Sequence, residues 1–154
     1  MPLVNADGEA KLKRLWQRGC DLLGSEYAIM GGAMSWLSER KLVSALSNSG
    51  GFGVIACGSM GPEHLKAEIK ATAELTKRPF GVNLITMHPD LSTLIDVCVN
   101  HKVSHVVLAG GLPRAREIKC LKDAGVRVLA FAPALSIAQR LIRSGVDGII
   151  IEGA

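Results

Sequence analysis

The chain is 154 residues long with a formal net charge of +4, and 48% of its residues are hydrophobic while only 4% are aromatic. This length suits one ordinary domain, and the composition predicts an aliphatic core of the kind formed by buried parallel strands covered with helices. Basic and acidic residues are interspersed with no basic run between aromatics, which argues against a nucleic-acid partner, and no apolar run reaches the roughly 18 residues of a membrane span.

A regular alternation of short apolar runs and helical patterns begins after an N-terminal helix. Leucines at helical spacing predict this first helix over residues 7–23. Short aliphatic runs followed by Gly, Pro, Asn or Ser predict six strands, at residues 27–30, 53–56, 80–84, 105–108, 126–131 and 148–151. The intervening patterns predict helices at residues 38–48, 62–76, 90–101, 114–124 and 134–144. This βα order indicates a parallel sheet with right-handed crossovers.

Two α/β architectures have this order of elements: an open doubly wound sheet and a (β/α)8 TIM barrel. The sequence IIIEGA puts Glu152 and Gly153 at the carboxyl end of the sixth strand, where a barrel carries functional groups. The dinucleotide fingerprint GxGxxG is absent after the first strand. These features favour an incomplete TIM barrel of about six strands. Residues 1–24 would form an N-terminal helical extension and residues 25–154 the N-terminal part of the barrel.

Two segments at strand ends are candidates for contacts with a flat ligand. In IMGGAMSW, Gly31 and Gly32 would let the ligand approach the backbone and Met34 would cover an aromatic ring, although a tight turn with ordinary packing explains the stretch as well. Asn83 lies in the third predicted strand, and its carboxamide could bind the edge of a heterocycle or cap the following turn.

Two further candidates follow the fourth and sixth strands. Gly110 and Gly111 could leave space for a ring or a phosphate, but two adjacent glycines are a weak signal. Glu152 follows three isoleucines, and in a barrel mouth it would be desolvated and suited to a functional role. Pairing with a basic neighbour explains this carboxylate equally well.

The cysteines and histidines indicate neither a nucleophile nor a metal site. The four cysteines show no CxxC spacing, which is typical of reduced thiols in a cytoplasmic protein, and none has an acid–base partner nearby in sequence. The N-terminus is charged and lacks the apolar region of a signal peptide. His101 and His105 are four residues apart, but they straddle a helix end and a strand start, so a helical metal site is not expected.

Several motifs occur in order along the chain: YAIMGGAMSW, VSALSNSGGFGVIACG, KRPFGVNLI, the Gly-Gly pair after the fourth strand, and GVDGIIIEG. Together they resemble the N-terminal half of the nitronate monooxygenase family, formerly called 2-nitropropane dioxygenases, which includes flavin-dependent enoyl-acyl-carrier-protein reductases. The resemblance runs from about residue 25 to the end. It implies a (β/α)8 barrel that holds FMN.

The resemblance also implies which residues surround the FMN ring. The first loop would lie along the ring, the carboxamide of Asn83 would hydrogen-bond its edge, and the Gly-Gly pair would border the pocket. The implied cofactor-binding residues are Gly31, Gly32, Ala33, Met34, Asn83, Gly110, Gly111 and Glu152. The chain departs from the family where it has Gly31-Gly32-Ala33-Met34 in place of the common Gln-Gly-Gly-Met. The family's catalytic histidine, in an E-x-G-G-H segment, would lie beyond Ala154.

The implied activity is FMN-dependent oxidation of alkyl nitronates with oxygen to carbonyl compounds and nitrite. An NAD(P)H-dependent FMN enoyl-acyl-carrier-protein reductase is one alternative, and a catalytically inactive truncated fragment is another. The expected partner is therefore a small-molecule substrate, a nitronate or an enoyl thioester, with no nucleic acid and no membrane. Six strands cannot close an eight-stranded barrel, so an open hydrophobic edge predicts self-association into a homo-oligomer.

Overall fold

The computed structural model describes residues 6–152, so Gly153 and the first five residues of the predicted extension lie outside the described residues. The elements are α1 (Ala6–Leu23), β1 (Met30–Gly31), α2 (Arg40–Asn48), β2 (Phe52–Ala56), α3 (Pro62–Leu75), β3 (Phe80–Ile85), α4 (Leu91–Asn100), β4 (His105–Ala109), α5 (Ala115–Asp123), β5 (Arg127–Phe131), α6 (Leu135–Arg143) and β6 (Gly148–Ile150). No helix within this part of the chain is long and apolar enough to cross a membrane.

The six described strands form one parallel sheet in the order β1-β2-β3-β4-β5-β6. A doubly wound sheet reverses its strand order at a switch point, whereas a (β/α)8 barrel adds each strand beside the preceding one. The sequential order therefore confirms the predicted incomplete barrel.

The first strand is shorter and later than predicted. It comprises only Met30–Gly31, whereas the sequence pattern indicated residues 27–30. The ring of Tyr27 instead packs edge-on against Trp16 of α1, with 6.1 Å between ring centroids, and Ile29 is 53% exposed. The apolar run at residues 27–30 thus reflects packing against α1 as well as strand pairing.

The sheet is buried on both faces because successive side chains along a strand alternate between two apolar clusters. On the outer face, residues such as Ile55, Leu84 and Leu108 pack against the crossover helices. On the inner face, Val54, Val107 and Leu129 form a second cluster with Leu23 and Phe52.

Helix α1 lies across the amino ends of the strands. Leu23 joins the inner cluster, and the carbonyl oxygen of Leu22 accepts a hydrogen bond of 2.7 Å from Nη1 of Arg127 at the start of β5. A Cβ on Gly148 would lie 3.0 Å from Cδ2 of Leu22, so the start of β6 is also in close contact with this helix. The amino end of the inner face is therefore covered, and the carboxyl ends of the strands remain as the place for a site.

Candidate functional site

The inner face carries a concavity of about 630 Å³. Gly32 and Ala33 of the first loop, Asn83 of β3 and Phe131 of β5 line it, and α1 borders it at the amino end. Its volume lies within the range of about 300 to 1,000 Å³ that is typical of small-molecule sites. The concavity runs from α1 to the last residues of β3, β4 and β5, and because the active sites of (β/α)8 barrels lie at the carboxyl ends of the strands, this end of the concavity is the candidate site.

The two glycines of the first loop are in close contact with neighbouring elements of the protein. Gly32 has a positive φ of 120°, and a Cβ there would lie 2.5 Å from the carbonyl oxygen of Val54 in β2. A Cβ on Gly31 would lie 2.5 Å from Cδ1 of Leu46 in α2. Protein packing thus accounts for glycine at both positions, and contact of this loop with a flavin ring stays a prediction.

Residues 34 to 38 hold the first loop against β2. The hydroxyl oxygen of Ser38 accepts a hydrogen bond of 2.9 Å from the amide of Met34, and the carbonyl oxygen of Ser38 accepts one of 3.0 Å from the amide of Ala56. Ser38 itself is buried, whereas the side chains of Met34 and Trp36 are exposed. A buried hydroxyl therefore fixes the backbone at Met34 while its thioether remains accessible.

Asn83 is a buried polar residue among apolar neighbours. It stands in register beside Val107, which stands beside Leu129, and it is only 8% exposed. Within residues 6–152 its carboxamide makes no hydrogen bond, although its backbone carbonyl accepts one from the amide of Cys57. No bond from the carboxamide to the following turn is present, so the structure does not support the turn-cap alternative. The carboxamide atoms are not among the buried polar atoms that lack a partner, so they are accessible, and a ligand in the concavity could bond to them.

The loop after β4 packs closely against the loop after β3. Gly110 has a positive φ of 83°, and a Cβ there would lie 2.9 Å from Cγ2 of Ile85. A Cβ on Gly111 would lie 2.9 Å from Oγ1 of Thr86. This Thr86 hydroxyl is buried and has no hydrogen-bond partner among the described residues. Sequence reasoning missed Thr86, although a hydroxyl directly after a buried strand was the available signal.

Glu152 differs from its expected environment. It lines a second concavity, of about 470 Å³, together with Gly110, Gly111 and Phe131, so the structure does bring it near the Gly-Gly pair. The expectation that it is desolvated is wrong, because Glu152 is exposed and follows β6, which has no further strand beside it among the described residues. No ion pair to a basic neighbour is formed within residues 6–152 either.

The thiols and histidines near the sheet offer neither a nucleophile nor a metal site. Burial raises the pKa of Cys57, which follows β2, to about 12, and burial also raises the pKa of Cys98. Both thiols are therefore protonated near neutral pH. The described residues contain no group of three or more His, Cys, Asp or Glu side chains that could hold a metal ion.

Comparisons with known proteins agree with the fold. The sequence model of a family described as nitronate monooxygenase matches residues 17–94. A (3aS,4S,5R,7aS)-5-hydroxy-7a-methyl-1-oxo-octahydro-1H-indene-4-carboxyl-CoA dehydrogenase from Mycobacterium tuberculosis is 30% identical over 135 residues, which cover 86% of this chain and 37% of that protein. A nitronate monooxygenase from Paraburkholderia phytofirmans is 28% identical over 170 residues, covering 86% of this chain and 46% of that protein.

A solved structure has the same arrangement of strands and helices. FabK from Thermotoga maritima superposes with a TM-score of 0.85 at 37% sequence identity, covering 88% of this chain and 43% of that one. The chain thus spans less than half the length of each of these three proteins.

Proposed function

Because the chain belongs to the nitronate monooxygenase family, whose sequence model matches just over half of its length, we propose that it forms the FMN-binding part of a flavin-dependent oxidoreductase. The observation that carries the proposal is Asn83, a residue that is 8% exposed, lines an apolar concavity, and has a carboxamide that is accessible and makes no hydrogen bond among the described residues. A heterocycle with donors and acceptors along its edge matches this environment.

The residues present fit a flavin. Asn83 would bind the ring edge, and Ala33 and Met34 would lie beside the ring on the first loop, which Ser38 holds in place. Gly110 and Gly111 would border the same end of the sheet. The described residues that line the 630 Å³ concavity are glycines, residues with apolar side chains, and Asn83. None of these lining residues has a titratable side chain.

This composition determines what the described residues contribute. The apolar walls would contact the ring, the carboxamide would orient it, and the glycine loops keep neighbouring backbone segments close together. Electron transfer would be supplied by the bound FMN. Proton transfer is assigned to no described side chain, because no acid or base is among the residues that line the concavity.

The first candidate reaction is oxidation of an alkyl nitronate with oxygen, which yields a carbonyl compound and nitrite. It is supported by the match to the family described as nitronate monooxygenase and by the 28% identity with the Paraburkholderia phytofirmans protein of that name. The nitronate would be bound against the apolar wall of the concavity beside the flavin.

A second candidate reaction is NAD(P)H-dependent reduction of an enoyl thioester. The specific observation in its favour concerns the substrate class: two relatives, at 30% and 31% identity, are named as dehydrogenases of a carboxyl-CoA compound, which is a thioester. Their identity with this chain exceeds that of the nitronate monooxygenase. A thioester substrate is therefore a direct rival to a nitronate.

The experiment that tests the proposal is a visible absorption spectrum of the purified, desalted chain, recorded with an intact mass. A flavin spectrum at near-stoichiometric ratio supports the FMN site. Nitrite release from a nitronate in the presence of oxygen, or loss of NAD(P)H absorbance with an enoyl thioester, then separates the two reactions. A colourless protein of the correct mass that does not bind added FMN would contradict the proposal and support a catalytically inactive fragment.

A further inference from the structure

The carboxylate of Glu68 on α3 forms hydrogen bonds with Arg40 of a different helix, α2. The side chain is 2% exposed, and its Oε2 accepts a hydrogen bond of 2.9 Å from the backbone amide of Arg40. Its Oε1 accepts a bond of 2.9 Å from Nε of Arg40 and a second from Nη2. His64, on the same face of α3, places its Nε2 3.9 Å from the same oxygen. One carboxylate therefore binds both the main chain and the side chain of Arg40.

Arg40 is the first residue of α2, and this helix has no cap of its own. Glu39 occupies the N-cap position without a side-chain hydrogen bond to the helix. The first amides of a helix need acceptors, and an anion near them is stabilising. Burial alone would raise the pKa of the Glu68 carboxyl, but the hydrogen bonds and charge of Arg40 outweigh it and hold the pKa below its ordinary value. Glu68 thus acts as an ionised cap supplied by another helix.

The start of α2 is connected to the candidate site through Ser38. Ser38 lies two residues before Arg40, and its carbonyl and hydroxyl oxygens bind the amides of Ala56 and Met34. At the other end of α2, the hydroxyl of Ser47 donates to the carbonyl of Pro79 at 3.0 Å and accepts from the amide of Gly53 at 3.2 Å. The C-terminal end of α2 is therefore fixed independently, and loosening its start would affect the first loop.

We propose that Glu68 is a positioning residue, which fixes the start of α2 and, through Ser38, the backbone of Met34 in the first loop. Glu68 is not among the residues that line the concavity. Its effect on the flavin rests on the proposed function, whereas its effect on the Met34 amide does not. The two parts of the proposal can therefore fail separately.

Amide hydrogen exchange in the full chain, without added flavin, measures the positioning directly. Glu68→Gln keeps the shape of the side chain and weakens its bonds to Arg40, so exchange at the Met34 amide is expected to accelerate about tenfold. The matched control is Glu63→Gln on the same helix, where the carboxylate is exposed and pairs only with Lys66 among the described residues. That variant leaves Met34 exchange unchanged. Equal exchange at Met34 in the parent and Glu68→Gln would overturn the proposal.

A double variant separates positioning from general stability. Arg40→Met with Glu68→Met removes both charges together, and such replacements often restore the stability of a buried pair. The amide of residue 40 still lacks an acceptor, so Met34 exchange stays fast even where the unfolding midpoint recovers. If slow exchange returned with stability, Glu68 would serve stability alone and the proposal would be wrong.

Flavin titration completes the test. If the parent chain binds FMN, Glu68→Gln weakens binding and alters the visible circular dichroism of the bound flavin, whereas Glu63→Gln does neither. A parent chain that binds no FMN contradicts the proposed function but leaves the exchange result at Met34 to decide the role of Glu68. Unaltered flavin binding and dichroism in Glu68→Gln would overturn the flavin part of the proposal, whereas the exchange at Met34 decides whether the first loop depends on this carboxylate.

Discussion

Nε2 of His105 lies 2.7 Å from the carbonyl oxygen of Leu22, which joins the buried start of β4 to the end of α1. The ring also packs edge-on against Phe52, with 4.7 Å between centroids. Arg127 donates to the same carbonyl from the next strand. Since a carbonyl oxygen only accepts, Nε2 carries a proton and donates to Leu22, while Nδ1 lies 2.8 Å from the hydroxyl oxygen of Ser104. Sequence reasoning excluded His101 and His105 as a metal pair, and the structure gives His105 a packing role.

The contact predicts that acid destabilises the fold. Burial lowers the pKa of His105, and the charge of Arg127 adds to this, so the unfolded chain binds the proton more tightly than the folded one. The free energy of unfolding should therefore fall as the pH drops through about 6.5, the ordinary value for histidine. His105→Gln should flatten this dependence in urea titrations, whereas His101→Gln should preserve it. Parallel pH curves for both variants would contradict the assignment.

Much of the fold followed from short-range pattern. Runs such as 80–84 and 105–108 are aliphatic and end in turn residues, so the alternation of strands and helices was visible locally. Tyr27 was misplaced in a strand because its apolar partner, Trp16, lies on a helix that the strand pattern does not include. Local periodicity finds elements, but it does not reveal which neighbour an apolar side chain packs against.

Less of the candidate site than of the fold could be predicted from the sequence. Asn83 was predicted as a site residue because a carboxamide within an aliphatic run is unusual in composition, and the structure places it in the lining of the concavity. The contact between Arg40 and Glu68 was missed because the two residues are 28 positions apart and meet only after α2 and α3 pack together. The exposure of Glu152 depends on which elements surround β6, and no local pattern specifies them.

The thiols should differ widely in reactivity. Cys120 is exposed, while burial raises the pKa of Cys57 to about 12 and also raises that of Cys98. Because the thiolate is the reactive form, iodoacetamide should modify Cys120 faster than either buried thiol by on the order of a hundredfold at neutral pH. Peptide mass spectrometry of timed samples measures this, with the urea-unfolded chain as the control in which all sites react. Comparable rates in the folded chain would mean that β2 and α4 are not packed as described.

Gly32→Ala tests whether glycine in the first loop serves packing. The substitution places a side chain at a positive φ and 2.5 Å from the carbonyl oxygen of Val54. The flavin-free chain should therefore lose about 1–3 kcal/mol of unfolding free energy. Gly58→Ala is the control, since a Cβ there would lie an ordinary 3.4 Å from Cγ1 of Ile85, and its stability should match the parent. A Gly32→Ala chain that is fully stable but loses FMN would show instead that this glycine makes room for the ligand.

Asn83→Leu tests the polar contact on which the proposed cofactor site depends. The carboxamide has no hydrogen-bond partner in the described residues, so replacing it with an apolar side chain of similar size should leave the unfolding free energy unchanged or raise it. Removing an edge hydrogen bond should nevertheless weaken FMN binding by about tenfold, measured by fluorescence titration. Asn100→Leu makes the same chemical change at an exposed helix end and should leave FMN affinity unaltered. Equal affinity in the parent and Asn83→Leu would mean that Asn83 does not contact the flavin, even if the chain binds one.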